Sequence, residues 1–158
     1  MGTLIVLRHA KAAHGLGMAD ADRPLTGRGQ RDAEAAGRHL RDLGLAPALV
    51  LCSPATRTRQ TLDGLRLGPE SKVSYEPRIY DNDVDLLVEL VRATGGDAGS
   101  LLLIGHNPSL HQLVVDLGAT DVDHFPTSAC AVLAVDGPWS DLTQGAAALS
   151  SYWTPKLG

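Results

Sequence analysis

Short apolar runs alternate with amphipathic stretches along this chain. Leu4-Ile5-Val6-Leu7, Ala48-Leu49-Val50-Leu51-Cys52 and Leu101-Leu102-Leu103-Ile104 are uninterrupted apolar runs of strand length. Runs of that kind, without polar alternation, suit strands covered on both faces. Between them the spacing predicts helices over Thr26–Leu43, from Pro54 to about Leu65, over Val84–Ala93 and from Pro108 to about Leu117. Thr26 is placed to cap the first and Gly44 to close it, and the loop Thr94-Gly95-Gly96-Asp97 follows the third. Ala131–Val135 and Ala146–Tyr152 read as final strands, the last suited to a sheet edge. Strands and helices in alternation predict an α/β domain, a three-layer α/β/α sandwich with a largely parallel central sheet. No repeat, linker or low-complexity tract divides the 158 residues, so one domain over 1–158 is expected.

Composition narrows the class without naming a function. The chain is 44% hydrophobic and 20% charged, with a formal net charge of -4. That balance argues against a nucleic-acid binder, which would present a basic face. The first apolar run is too short for a signal peptide or a membrane span. Cys52 and Cys130 lie in apolar runs without metal-ligand spacing, as expected of reduced thiols packed in a cytoplasmic protein.

Chemistry concentrates where the strands end. Arg8-His9 follows the first run directly, where a core strand leaves the core. Arginine is rarely buried without a partner, and histidine changes protonation near neutral pH. After the second run come Ser53-Pro54-Ala55-Thr56-Arg57, with serine suited to an N-cap, proline to the first helical position and Arg57 to the opening turn. After the third come Gly105-His106-Asn107-Pro108, with Asn107 as the expected cap and His106 between strand and helix. Open α/β sheets bind ligands beyond the carboxyl ends of their strands. Two helix N-termini, two arginines and two histidines would then meet at one edge of the sheet. Helix N-termini and guanidinium forks both favour phosphoryl oxygens, so the expected ligand is a phosphoryl group. Taken singly, Arg8 suits a surface ion pair, Arg57 and Arg59 a solvated helix face, and His106 a structural role. Their recurrence at one topological position favours function.

These motifs resemble the histidine phosphatase superfamily: Arg8-His9, then Ser53-x-x-x-Arg57-x-x-Gln60-Thr61, then Gly105-His106-Asn107-Pro108. The form Leu7-Arg8-His9-Ala10-Lys11, with Asp22-Arg23-Pro24-Leu25-Thr26 and Gly29, is similar to the SixA-type phosphohistidine phosphatases. The resemblance implies a phosphoglycerate-mutase-like fold and a metal-independent hydrolase without cofactor. By it His9 is the nucleophile, Arg8 and Arg57 clamp the phosphoryl oxygens, and His106 completes the pocket by donating a hydrogen bond. Nearby arginines should keep His9 neutral, the form that attacks phosphorus. Lys11 and Asn107 are candidate substrate contacts at the rim.

The chain departs from larger relatives at the general acid. Where they carry a glutamate, Glu76-Pro77-Arg78-Ile79-Tyr80 puts Pro77, which leaves Glu76 and Asp81 as candidates. A missing strong acid suits a substrate with a readily protonated leaving group, such as the imidazole of phosphohistidine. Only Arg66 to Ser100 separates the second helix from the third run. That leaves little chain to roof the crevice, which would then be open to a phosphorylated protein partner, such as a histidine-containing phosphotransfer domain. A phosphomonoesterase acting on a small phosphorylated metabolite, and a catalytically weak phosphate- or phosphohistidine-binding module, are the rival functions. Cys52 stands one residue too close to Arg57 for a cysteine-phosphatase loop. His9 with His14 and His106 with His111 have i, i+5 spacing, which does not put two metal ligands on one helical face. Gly27-Arg28-Gly29 lacks the preceding strand of a dinucleotide fingerprint.

Overall fold

The structure is a computed structural model that describes residues 2–156. The apolar runs become strands β1 (Gly2–Arg8), β2 (Leu49–Cys52) and β4 (Ser100–Gly105), with β5 (Cys130–Val135) and β6 (Ala147–Trp153) after them. A short strand, β3 (Lys72–Tyr75), adds an exposed edge that no apolar run announces. The helices are α1 (Gly27–Asp42), α2 (Thr56–Leu65), α3 (Pro77–Tyr80), α4 (Val84–Thr94) and α5 (Ser109–Gly118). The sheet order is β3-β2-β4-β1-β5-β6. β1 to β4 pair in parallel, and β5 runs against both of its neighbours.

Side-chain alternation along the strands builds two cores. Leu4, Val6, Leu101 and Leu103 point to the face covered by α4 and α5, where Leu87, Leu90, Leu113 and Val114 meet them. Ile5, Leu7, Leu102 and Ile104 point to the other face, against Ala36 and Leu40 of α1 and Leu62 and Leu65 of α2. Both faces are thus covered, which is why these strands read as continuous apolar runs rather than alternating ones. The expected three-layer α/β/α arrangement is the one observed. Cys52 and Cys130 are free, buried thiols, and burial pushes both up to about 12. No helix among the described residues is long and apolar enough to cross a membrane.

Two helix starts differ from expectation, and both differences bear on the site. α2 begins at Thr56 rather than Pro54, with Ala55 at the cap position. α5 begins at Ser109, with Pro108 at the cap. Asn107 does not cap it, because Asn82 does so from a distant loop: its Oδ1 accepts from Ser109 N at 3.0 Å and its Nδ2 donates to the Asn107 carbonyl at 2.6 Å. Asn107 is thereby free to donate its amide to the Phe125 carbonyl at 2.7 Å. Thr26 caps α1 as expected, accepting from Gly29 N at 3.0 Å.

Gly29 marks where α1 meets the segment leaving β1. A Cβ there would lie 2.1 Å from the Lys11 carbonyl oxygen, which Thr26 N also holds at 2.9 Å. That oxygen belongs to main chain and cannot rotate away. Gly29→Ala is therefore expected to destabilise by about 1–3 kcal/mol, the usual cost of overpacking, despite alanine's better helix propensity. Thermal melting should show a Tm lowered by about 2–4 °C per kcal/mol. An unchanged or raised Tm would contradict the contact.

Candidate active site

The parallel register brings the three strand ends together. Arg8 pairs with Gly105 across β1 and β4, and Cys52 with Ile104 across β2 and β4. The ladder continues one step past each strand: His9 N donates to the Gly105 carbonyl and Ser53 N to the Ile104 carbonyl, both at 3.1 Å. His106 follows Gly105 directly, so it lies between His9 on one side and Ser53 on the other. The two imidazole centroids are 5.3 Å apart.

An open cleft of about 320 Å³ lies at this edge, lined by Arg8, His9, Asp20, Arg23, Arg57, Tyr80, Asn82, His106 and Asn107. The four central residues expected from the sequence, with Asn107, are together here. Lys11 is exposed and outside the lining, where only its main chain has a mapped role. Neither candidate acid reaches the cleft. Glu76 accepts from Arg78 N in the first turn of α3 and pairs with Arg78 Nε at 3.0 Å, and exposed Asp81 closes that helix. The structure therefore does not bring the candidate acids at 76 and 81 together with the other expected site residues: Glu76 caps α3 and Asp81 is exposed at its end. His14 is exposed and half-buried His111 contacts the Val122 carbonyl, so neither joins the site.

His9 is 7% exposed, Arg57 6% and His106 5%, burial that polar side chains accept only with partners or for function. His9 Nδ1 lies 2.8 Å from the Ala10 carbonyl oxygen. A carbonyl only accepts, so Nδ1 carries the proton and Nε2 keeps the free lone pair. Burial drives the His9 ring down to about 3, opposed by the Ala10 bond and reinforced by His106, Arg8 and Arg57. Burial, then Arg57, likewise brings His106 to about 4. Both rings are neutral at physiological pH. The unfolded chain binds these protons first, so stability falls as pH drops from 6.5 towards those values.

Some polar atoms of these residues are buried without partners. His106 Nε2 and Ser53 Oγ are 2.8 Å apart, and Ser53 Oγ also accepts from Ala55 N at 3.3 Å. If the serine hydroxyl donates to Nε2, every hydrogen of that pair is used and Nδ1 bears the remaining N–H. His106 Nδ1, Arg8 Nε and Arg57 Nε are all buried without a hydrogen-bond partner. Orphaned donors of this kind are costly unless a ligand satisfies them.

Four further residues of the cleft escape sequence reasoning: Asp20, Arg23, Tyr80 and Asn82. The 3-10 turn Asp20–Asp22 brings the Asp20 carboxylate to Arg57 Nη2 at 3.1 Å, Arg23 Nε at 3.0 Å and the Tyr80 hydroxyl at 2.6 Å. Tyr80 O–H, against partial burial, and then Arg57 and Arg23 hold that carboxyl at about 2. Tyr80 also stands edge-on to His106, with centroids 5.5 Å apart. Arg23 and Tyr80 occur inside the quoted motifs, but nothing in their spacing distinguishes them from solvated neighbours.

Comparison with known proteins agrees with this geometry. Residues 4–90 match the model of the histidine phosphatase superfamily (branch 1), a span that takes in Arg8, His9, Asp20, Arg57 and Tyr80. An uncharacterized protein of Mycobacterium tuberculosis is 39% identical over 160 residues, covering 95% of this chain and all of that one. A solved structure from Nakamurella multipartitia, proposed to be a phosphohistidine phosphatase SixA, superposes with a TM-score of 0.89 at 35% identity, covering 98% of this chain and 96% of that one. The structure of a protein histidine phosphatase SixA complexed with tungstate gives 0.83 at 26% identity, with 98% of each chain covered. The chain therefore belongs to the histidine phosphatase superfamily (branch 1), as a phosphatase with the SixA-type fold.

Proposed function

We propose that this protein is a hydrolase that takes a phosphoryl group onto His9 Nε2 and releases it to water, and that its substrate is phosphohistidine on a protein partner. The observation that carries the mechanism is the fixed tautomer of His9: the Ala10 carbonyl holds the proton on Nδ1, and the lone pair of Nε2 is left to attack. In the first step the Nε2–P bond forms as the bond from phosphorus to the leaving atom breaks, and the electron pair departs with that atom. In the second, water oxygen bonds to phosphorus, the P–Nε2 pair returns to the imidazole, and orthophosphate leaves. Arg8 and Arg57 neutralise charge on the equatorial oxygens, the main demand of phosphoryl transfer, and neutral His106 donates a hydrogen bond to them.

Two features support a phosphoramidate on a protein. The candidate acids Glu76 and Asp81 lie off the cleft, and the imidazole of phosphohistidine leaves without strong acid assistance. The cleft is open, as a bulky partner requires. The tungstate-bound relative shows that its own fold accepts a tetrahedral oxyanion complex. One observation favours the small-molecule alternative: the Asp20 carboxylate and Tyr80 hydroxyl, 2.6 Å apart in the lining, offer a route for the proton that an ester leaving group needs.

Turnover of a phosphohistidine protein against a panel of phosphate esters, with His9→Ala as control, separates the two. The protein substrate should be preferred and His9→Ala should be inactive on all of them. A hundredfold preference for a small ester, roughly 3 kcal/mol, would exclude the protein-substrate assignment. Arg57→Ala should lose about 10²–10³-fold in kcat, the scale of one lost charge-stabilising group, with its circular dichroism unchanged. Full activity in that variant would break the proposed clamp. In an NMR pH titration the His9 and His106 rings should remain neutral down to about pH 5. A midpoint near 6.5 for either would contradict the burial-driven shift.

A further inference from the structure

Arg57 holds out two Nη groups, and residue 20 occupies both. Nη1 donates to the Asp20 main-chain oxygen at 2.8 Å and Nη2 to its carboxylate at 3.1 Å. An end-on guanidinium fork engaged by two oxygens is the geometry that would otherwise grip a phosphoryl group bidentately. The carboxylate is half-exposed, its side chain 55% accessible against 7% for Arg57, so the pair is only a modest obstacle to a stronger anion. Asp20 is also the one carboxylate in the lining of the cleft.

We propose that Asp20 is a built-in competitor for the phosphoryl site, an autoinhibitory contact that a phosphorylated ligand must displace from Arg57 before the clamp can close. This rests on the function proposed above and adds how the site is kept shut. Because one of the two bonds goes to a main-chain oxygen, rotating the Asp20 side chain cannot free the fork. The turn itself has to move. Its surroundings permit that. The loop is pinned at its base, where Ala13 N donates to the Pro24 carbonyl at 2.8 Å and Ala12 bridges Leu25. Between those pins Gly15 and Gly17 adopt φ of 70° and 81°, and Leu16 between them is 95% exposed. Tyr80 is the latch on the opposite side, donating its hydroxyl to the same carboxylate.

The test uses orthophosphate as the probe, with affinity read by calorimetry at neutral pH. Asp20→Asn should bind it at least fivefold tighter than the wild type, and Tyr80→Phe should tighten binding by a smaller factor. Asp22→Asn removes the same charge from the same turn without touching Arg57 and should stay within twofold. Hydrogen exchange gives the readout that simple charge repulsion would not move. The amides of Asp22 and Arg23, which donate to Ala19 and Asp20 carbonyls at 3.0 and 3.2 Å, should exchange faster in the wild type saturated with phosphate. Unchanged or weaker binding by Asp20→Asn would overturn the proposal and leave Asp20 as a positioning group for Arg57. Slower or unchanged exchange at the turn would overturn it too, whatever the affinities. Failure of the wild type and of Asp20→Asn alike to bind orthophosphate would instead remove the phosphoryl site itself.

Discussion

Everything at this site depends on the parallel register of β4 between β1 and β2. That register sets Arg8 opposite Gly105 and Cys52 opposite Ile104, and the two ladder bonds beyond it dock the His9 and Ser53 amides on β4 carbonyls. His106, the residue after β4, is then flanked by both. A one-residue slip would turn each strand's side chains to the opposite face and exchange the two cores. The apolar packing on both faces therefore fixes the geometry of the chemistry: Leu4 and Val6 must face α4 and α5, and Ile5 and Leu7 must face α1 and α2. Active-site precision here is a by-product of core burial.

Given that scaffold, the site gathers neutral imidazoles and arginine side chains, with the Asp20 carboxylate beside them, in one cleft. Three arginines line the cleft, and Asp20, bonded to Arg57 and Arg23, offsets only part of their mutual repulsion. Burial, reinforced by the same charges, holds both imidazoles neutral. Neutrality makes His9 a nucleophile and leaves His106 able to present one N–H. Buried polar atoms without partners on Arg8, Arg57 and His106 are a cost of folding that the site carries. Asp20 relieves part of the charge in the free protein from the solvent side.

Much of this was legible in the sequence, for identifiable reasons. Uninterrupted apolar runs announce strands buried on both faces, and a charged residue directly after such a run has nowhere to go but the strand-end crevice. Arg8 and His9 follow such a run directly, and Arg57 and His106 become visible because they recur at the strand-to-helix junctions behind the next two runs. β3 was not, because Lys72–Tyr75 is an exposed edge with no apolar run. α5 starts one residue later than expected because its cap comes from elsewhere: Asn82 serves it, a partner 27 positions away that no local rule can find. Asp20 and Tyr80 were hidden for a related reason. Their significance lies in a contact across 60 residues between a loop and a short helix, and each alone looks like an ordinary surface residue. The candidate acids at 76 and 81 stand outside the cleft lining because they flank α3, a short helix that the sequence pattern does not announce.

The central claim is that His9 is a covalent nucleophile acting through one nitrogen, because the Ala10 carbonyl holds the other. The most direct measurement is to trap the phosphorylated protein and assign the adduct by NMR of ¹⁵N-labelled imidazole. The account predicts an acid-labile, alkali-stable phosphoryl group on His9 Nε2. A phosphoryl group on Nδ1, on another residue, or on none while turnover proceeds would contradict it.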